Sequence, residues 1–433
     1  MTTPLRIGLA GLGTVGGGVG KQLEAERARL AAISGREIVV AAICARDRSK
    51  DRGFDVFGAT WFDDPVDMAK NAEIDVFVEL IGGSDGSAKS AVEAALSSGK
   101  HVVTANKALV AHHGAALAAL AEKGGAALNF EAAVAGGIPI IKAMREGLLA
   151  NQISQVSGIL NGTCNYILTE MEETGADFAD VLADAQKLGY AEADPSFDVG
   201  GTDAAHKLAI LASLAFGTAV DFSSVYVEGI ETVTASDIKF AAEFGYRIKL
   251  LGTAVRNEQG AIEQRVHPAL VAHSAPLASV SGVTNAVSVH GGYVGNVVLT
   301  GPGAGEGPTA SAVVADIVDI ARGIAFAPFI LPQSQLKPAE TVEMSDYSGA
   351  YYLRLEAADR AGSMAEVTKA LAEADVSIER IVQRPDQGRD GEWLPVVLIT
   401  HETREATMQR ALALLSEHAD VVSTPVVIRI QGS

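Results

Sequence analysis

The 433-residue chain has only two cysteines, Cys44 and Cys164, only two tryptophans, and aromatic residues at 5% of its positions. Two isolated thiols make neither a disulfide framework nor a zinc spacing, so the expected compartment is a reducing cytoplasm. Positive charge is scarce too, with 34 Lys and Arg against 53 Asp and Glu and a formal net charge of -19. No basic stripe is available to meet phosphates, which argues against a nucleic-acid partner. Long apolar runs are missing: Leu208 to Val220 is the longest and is too short to span a bilayer, which argues against a membrane protein. The opening Met-Thr-Thr-Pro reads as entering a strand at once, without room for a signal peptide. What is plentiful is glycine, 45 residues, in a chain 48% hydrophobic and 20% charged. That is the profile of a compact globular protein long enough for two or three domains.

The glycines are placed rather than scattered. Leu5 to Ala10 reads as a buried strand, then comes Gly11-Leu-Gly13-Thr14-Val15-Gly16, then one helix with Val15, Val19, Leu23, Leu30 and Ile33 on its apolar side, then a strand from Glu37 to Cys44. Strand, glycine turn, helix and strand form the context in which Gly-x-Gly-x-x-Gly signals a dinucleotide site. The first glycine permits the turn, the second lets the backbone approach a pyrophosphate, and the third lets helix and strand pack. The helix start offers amide donors to the phosphate. After the second strand stand Ala45-Arg46-Asp47-Arg48. An arginine there pairs with the 2′-phosphate of NADP, and Arg46 with Arg48 leans that way; an acid there accepts from a ribose hydroxyl, so Asp47 keeps NAD open.

Strands at Ile74 to Leu80, His101 to Thr104 and Ala127 to Phe130 alternate with helices at Ser87 to Ser98 and Leu109 to Glu122. Such alternation means an α/β, Rossmann-type parallel sheet with helices on both faces. Ligands bind at the carboxyl ends of its strands, which makes the Ile81 to Ser84 loop and Lys107 in Ala105-Asn-Lys candidates for the cofactor site.

The stretch from Gln186 to Phe216 holds Glu192, Asp194, Asp198 and Asp203 just ahead of Lys207, at the mouth of a helix read as capped by Thr202. At 100° per residue, Asp203 and Lys207 share a stripe with Ile210, Leu211 and Leu214. An exposed i,i+4 ion pair is the plain reading. Two charges on the side that should be buried point instead to a pocket that holds a small cationic substrate with carboxylates and keeps a lysine near the reacting oxygen.

The middle region, with a helix near Ile140 to Leu149 and strands near 152–160, 246–255, 262–268 and 286–291, reads as an α+β substrate domain offering a sheet for self-association as a homodimer or homotetramer. Gly301-Pro-Gly303-Ala-Gly305 and a helix from Ala310 to Arg322 then return the chain to the cofactor domain. The expected division is therefore 1–130 completed by 301–326 for the cofactor, 131–300 for the substrate, and a proline-bearing linker over 327–347. Over 348–433, strands at Tyr351 to Ala357, Val376 to Arg384, Leu394 to His401 and Val421 to Ile430 alternate with helices at Ser363 to Ala374 and Glu405 to His418. That β-α-β-β-α-β order is a ferredoxin-like unit.

Taken together, Gly11 to Gly16, Thr104-Ala-Asn-Lys107, Glu131-Ala-Ala-Val-Ala-Gly-Gly-Ile138, Asn161-Gly-Thr163, Gly189 to Asp198, Asp203-Ala-Ala-His-Lys207 and Gly303-Ala-Gly305 resemble homoserine dehydrogenases over nearly the whole chain. The C-terminal unit resembles an ACT domain. The resemblance implies reversible, nicotinamide-dependent interconversion of L-homoserine and L-aspartate 4-semialdehyde, on the route to threonine, methionine and isoleucine. It implies that Lys207 gives a proton to the carbonyl oxygen and that Lys107 contacts cofactor and reacting group. Glu192 and Asp203, with Asp198 and Thr163, would hold the substrate amino acid. Gly11, Gly13, Thr14, Val15, Gly16, Arg46, Ser84, Lys107, Gly189, Gly303 and Gly305 would line the cofactor. A monovalent cation, sodium, is implied at Glu131, Val134, Gly136 and Ile138, and threonine as an inhibitor on the ACT unit, at the Asp359 to Gly362 turn. Desolvation and Lys107 would lower the proton affinity of Lys207 while Glu192 and Asp203 would raise it, and residue types alone leave the outcome open.

Two other readings predict different chemistry. An aspartate-semialdehyde dehydrogenase needs a cysteine nucleophile with a histidine, and Cys164 is the only thiol in a plausible setting. A non-catalytic sensor would bind nucleotide and amino acid without hydride transfer, and the paired lysines speak against it.

Overall fold

A computed structural model of the chain describes residues 3–56, 58–383, 393–417, 421 and 423–432. The expected limits at Arg384 and His418, and Val422 inside the strand expected from Val421 to Ile430, lie outside the described residues. The first sheet is built from β1 (Leu5–Ala10), β2 (Ile38–Cys44), β3 (Thr60–Phe62), β4 (Val76–Glu79), β5 (His101–Thr104) and β6 (Leu128–Asn129). Its order is β3-β2-β1-β4-β5-β6, parallel throughout. Right-handed crossovers reverse direction between β1 and β4, which opens a crevice at the carboxyl edge there. Helices α1 (Thr14–Ala25), α2 (Arg27–Ser34), α3 (Pro65–Asn71), α4 (Ser87–Ser97) and α5 (Lys107–Gly124) supply the covering layers.

The single helix expected from Val15 to Ile33 is two, broken at Glu26, whose backbone leaves the helical region (φ -101°, ψ 11°). The bend keeps Leu30 in the core and turns Ile33 out to solvent. The glycine run has a packing cause: a Cβ on Gly18 would lie 2.8 Å from the Glu306 side chain, so α1 can lie against α12 (Glu306–Ala321) only without one. That contact brings the chain back to the first sheet after its excursion.

The second sheet runs β12-β11-β7-β9-β10-β18-β14-β16-β15. Its first part is β7 (Ile153–Ile159), β9 (Tyr246–Arg256), β10 (Ile262–Ala272), β11 (Thr284–Gly291) and β12 (Gly295–Pro302), with the short β8 (Tyr226–Val227) bonded to β10. Helices α6 (Ile140–Lys142), α7 (Gly162–Thr174), α8 (Phe178–Lys187), α9 (Ser196–Val199), α10 (Thr202–Phe216) and α11 (Ala235–Glu243) belong to this region. The helix expected over Ile140 to Leu149 is only α6, continued by a wide π turn over Ala143–Gly147 that turns the buried Arg145 onto the Phe326 ring. α10 is buried on all sides, against α5 of the first sheet and against β7, β9 and β10. Thr202 is its first residue and not its cap; Gly201, in a left-handed conformation at φ 87°, stands there.

The C-terminal strands β14 (Tyr351–Ala358), β15 (Ile378–Gln383), β16 (Trp393–Thr400) and β18 (Val426–Ile430) lie in the order β18-β14-β16-β15, covered by α13 (Ser363–Glu373) and α14 (Glu405–Ser416). This is the expected ferredoxin-like arrangement. A small ladder pairs β13 (Ser348–Gly349) with β17 (Thr403–Arg404). Unforeseen is that β18 pairs in parallel with β10, so the module and the substrate region share one sheet. The segment expected as a linker is packed down, with Phe329 fully buried and bridges from Lys337 to Thr218 and from Thr341 to Ile262. No helix among the described residues is long and apolar enough to cross a membrane.

Candidate active site

At the carboxyl edge of the parallel sheet lies a cleft of about 640 Å³ lined by Gly11, Gly13, Arg46, Lys50, Leu80 and Ile81, among others. Gly11 has φ 96°, and a Cβ on it would stand 2.4 Å from the Leu80 carbonyl oxygen. A Cβ on Gly16 would meet the Gly11 carbonyl oxygen at 2.0 Å, whereas one on Gly13 would meet no protein atom within 4 Å. Gly11 and Gly16 are therefore demanded by the fold, and the bare face of Gly13 is open to a ligand. Thr14 and Val15 begin α1 and point its first amides the same way. Arg46 and Lys50 line this cleft without a side-chain partner among the described residues. Arg48 is spent elsewhere, on Asp63 at 2.8 Å and over the Trp61 ring, and the Asp47 carboxylate accepts from the amide and hydroxyl of Ser49.

The loops beside the cleft are tied by a buried carboxylate that sequence reasoning passed over. Glu79 accepts from the amides of Ile81 and Gly82 at 2.8 and 2.9 Å and from the Thr104 hydroxyl at 2.5 Å. Thr104 accepts the Asn106 amide, and the Asn106 side chain caps α5 and donates to the Gly83 carbonyl at 2.7 Å. Lys107 is thereby held at the very start of α5.

From that position Lys107 reaches across to α10. Its Nζ lies 2.6 Å from Asp203 Oδ1, while Lys207 Nζ lies 2.7 Å from Asp203 Oδ2 and donates to the Leu160 carbonyl at 2.7 Å. Asp203 is 3% exposed and Lys207 7%, so two ammonium groups share one buried carboxylate. Asn161, the cap of α7, donates through Nδ2 to both Asp203 Oδ2 and Asp198 Oδ1 at 2.8 Å. Burial pushes the Asp203 carboxyl up, but the charges of Lys207 and Lys107 outweigh it and hold the group well below the usual carboxylate range. Burial dominates at Lys207: with help from Lys107 and against Asp203, it lowers the proton affinity of the amine. Asp198, half-buried beside the Asp203 charge, is pushed upward. Cys164 is fully buried, donates to the Asp198 carbonyl at 3.2 Å and is pushed well above the ordinary thiol range, which makes it inert as a nucleophile.

Residues 139–318 match the family model described as homoserine dehydrogenase, residues 11–131 the model of its NAD-binding domain, and residues 351–420 that of the ACT domain. A homoserine dehydrogenase of Pseudomonas aeruginosa is 48% identical and one of Neisseria gonorrhoeae 46%, each with 99% of both chains covered. The chain belongs to the homoserine dehydrogenase family. A solved homoserine dehydrogenase of Thiobacillus denitrificans superposes with a TM-score of 0.92 at 45% identity, covering 99% of this chain and 98% of that one. A hyperthermophilic archaeal homoserine dehydrogenase, solved in complex with NADPH, superposes at 0.63 with 27% identity, covering 73% of this chain and 97% of that one. Membership makes this an oxidoreductase of the CH–OH group of homoserine that works with a nicotinamide cofactor.

Not every expected residue is in the cluster. Glu192 is exposed on the 188–195 loop with no side-chain partner among the described residues, and Gly189 lies on the same exposed loop. The Thr163 hydroxyl donates to the Tyr190 carbonyl at 2.7 Å, so it anchors that loop. Ser84 donates to Asp85. Gly303 and Gly305 form the turn before α12, pressed on Gly136, where a Cβ would lie 2.5 Å from the Gly303 carbonyl oxygen. Sequence reasoning missed Asn161 as the joint of the site; its Asn-Gly-Thr context marks a helix cap, but nothing in it signals two aspartates 37 and 42 residues away.

The glycine geometry makes a prediction that separates folding from binding. Gly13→Ala should leave the thermal midpoint unchanged and raise KM for the nicotinamide cofactor about tenfold, whereas Gly11→Ala should cost about 2 kcal/mol or more of stability. Thermal unfolding alongside cofactor titration checks both; a normal cofactor KM in the folded Gly13→Ala protein would remove the cleft from consideration.

Proposed function

We propose that Lys207 and Lys107 act together on the reacting oxygen as L-homoserine and L-aspartate 4-semialdehyde interconvert, with Asp203 as their common counter-ion. The observation that carries this reading is the Lys107–Asp203–Lys207 bridge between α5 and α10, buried at Asp203 and Lys207. When bound, the nicotinamide exchanges a hydride with the carbon that bears this oxygen. Lys207 gives the oxygen a proton in the reductive direction and takes one in the oxidative direction, for which its lowered proton affinity suits it. Lys107 adds a second positive charge where negative charge develops. Asp198 and Glu192 meet the substrate ammonium, the latter carried in by the loop that Thr163 anchors. Oxidation of reduced nicotinamide by aspartate semialdehyde tests the reaction, and its absence from well-folded enzyme would end this reading.

NADP is the proposed form of the cofactor. Arg46 and Lys50 support it, as uncommitted cations in the cleft, and so does the NADPH bound by the archaeal relative. Arg46→Ala should raise KM for NADPH at least about tenfold and leave KM for NADH nearly unchanged; equal shifts for both would overturn the preference. For the monovalent cation, proposed as sodium, the donor set fits: Glu131 is buried, and the Val134 and Gly136 carbonyls receive no donor among the described residues. The Ile138 carbonyl accepts from Ile140, and both Glu131 carboxylate oxygens accept backbone amides of Ile141 and Lys142 while keeping lone pairs free. Such neutral hard oxygens with one carboxylate suit a monovalent ion, and equal activity in sodium and choline salts would exclude the site.

Threonine is the proposed ligand of the C-terminal module. The Ser363 hydroxyl, buried and without a partner at the start of α13, supports an amino-acid site beside the Asp359 to Gly362 turn. Because β18 is bonded to β10, removal of residues 348–433 would bare a strand of the substrate region, so the fair test is threonine titration of the full chain. An unchanged rate at millimolar threonine would exclude it. Self-association as a homodimer or homotetramer is proposed on the half-buried polar face of β7, β11 and β12 and on Tyr293, 99% exposed at a hairpin tip, and a monomer by sedimentation would refute it.

A further inference from the structure

Of the contacts between the C-terminal module and the catalytic body, which include the β18–β10 pairing and the bonds of Tyr352 and Arg354 to Asp237, one side chain leads toward the active-site turn. Arg429, on β18, is 3% exposed. Its Nε and Nη2 donate to the two carboxylate oxygens of Glu405 on α14 at 2.9 and 2.7 Å, and its Nη1 donates to Glu228 Oε2 at 2.8 Å. The Tyr226 hydroxyl donates to the same Glu228 oxygen at 3.0 Å and the Tyr351 hydroxyl to Glu405 Oε2 at 2.9 Å. One side of this guanidinium therefore reads a helix of the module, and the other holds the residue that follows β8.

Beyond Glu228 lies the active-site turn. The Glu228 amide donates to the Val266 carbonyl at 2.8 Å and the Ile230 amide to the Val199 carbonyl at 3.0 Å. A Cβ on Gly229 would stand 2.4 Å from the Val199 carbonyl oxygen and 2.8 Å from Gly200 Cα, and one on Gly201 would stand 3.1 Å from the Val227 side chain. No side chain fits between these segments. Residues 227–230 thus form a floor under residues 199–201, the turn that has Asp198 before it and opens α10, with Asp203 and Lys207, after it.

We propose that Arg429 and Glu228 are positioning residues through which the C-terminal module sets the placement of Asp198 and Asp203. The ion pair fixes Glu228, Glu228 fixes the floor, and the floor fixes the turn. Close-packed backbone of this kind passes a displacement on instead of absorbing it. A ligand that moved α14, and with it Glu405, would act on the substrate side of the site and spare the cofactor side. That last consequence rests on the module binding an amino acid; the positioning role does not.

The test uses full-length enzyme and two variants. The Glu228 side chain is 31% exposed, so Glu228→Ala is the variant expected to fold, while Arg429→Lys keeps the charge but loses the fork that joins both carboxylates. Each should raise KM for homoserine about tenfold and leave KM for the nicotinamide cofactor within about twofold, and Glu228→Gln should recover part of the loss. The double variant should cost no more than Glu228→Ala alone, because the two residues act through one link. Unchanged homoserine KM in folded Glu228→Ala, equal rises in both KM values, or additive penalties would overturn the proposal. If an amino acid inhibits the natural enzyme, Glu228→Ala should lose that response, and retained inhibition would overturn the ligand route. If no amino acid inhibits, the reading of the module as a sensor fails while the KM split still decides the positioning role.

Discussion

Lys207→Met is expected to leave a folded enzyme whose kcat falls about a thousandfold in both directions, with KM for the nicotinamide cofactor nearly unchanged. Methionine keeps the length of the buried stem, and Asp203 retains Lys107 at 2.6 Å and Asn161 at 2.8 Å, so no uncompensated carboxylate is left in the core. The stability cost should therefore be only about 1–2 kcal/mol, the loss of hydrogen bonds to Leu160 and Asp203. On the proposed role, turnover loses the group that exchanges the proton and neutralises the developing oxyanion. The pH profile of the natural enzyme should agree: because burial lowers the proton affinity of Lys207, reduction of the aldehyde should fade with rising pH before an ordinary lysine would titrate, while oxidation of homoserine gains. Steady-state assays in both directions across pH decide this. A folded Lys207→Met protein that retains a tenth or more of natural turnover would mean that another group carries the proton.

Asp203→Asn should be costlier to the fold and differently costly to the chemistry. The carboxylate is the shared counter-ion of two ammonium groups, and its neutral amide leaves them facing each other in a site where Lys207 is 7% exposed. Breaking a buried pair from one side costs about 3–5 kcal/mol, to which relief by loss of a lysine proton sets an upper limit. Because Asp203 opposes the lowering of the Lys207 proton affinity, its removal should lower that affinity further. The alkaline limb of aldehyde reduction should therefore move to lower pH, with kcat/KM down about a hundredfold or more at neutral pH. Thermal unfolding and the pH dependence of kcat/KM measure the two effects. An alkaline limb that stayed in place or moved upward would show that Asp203 is not what holds Lys207 protonated.

Much of the site was legible because its signals are local. Gly11, Gly13 and Gly16 announce themselves through a strand before and a helix after, and Asp203 with Lys207 through one apolar stripe carrying two charges. Lys107 was legible as a residue at a strand end. The pairing of Arg48 was not legible, since its partner acid, Asp63, lies on the far side of β3 in sequence and only the fold brings them together. The break at Glu26 was missed because an apolar pattern reports which residues are buried and not which distant helix presses on them.

The sequence by itself determined the parallel α/β frame, the ferredoxin-like C-terminal unit, the glycine turn after β1 and the candidate lysines, because periodicity, turn chemistry and spacing are properties of neighbouring residues. Only the tertiary structure decided that both lysines converge on one carboxylate, that burial outweighs the ion pair in setting the proton affinity of Lys207, and that β18 continues the sheet of the substrate region. Those outcomes depend on distance and desolvation between groups far apart in the chain, which no local pattern encodes.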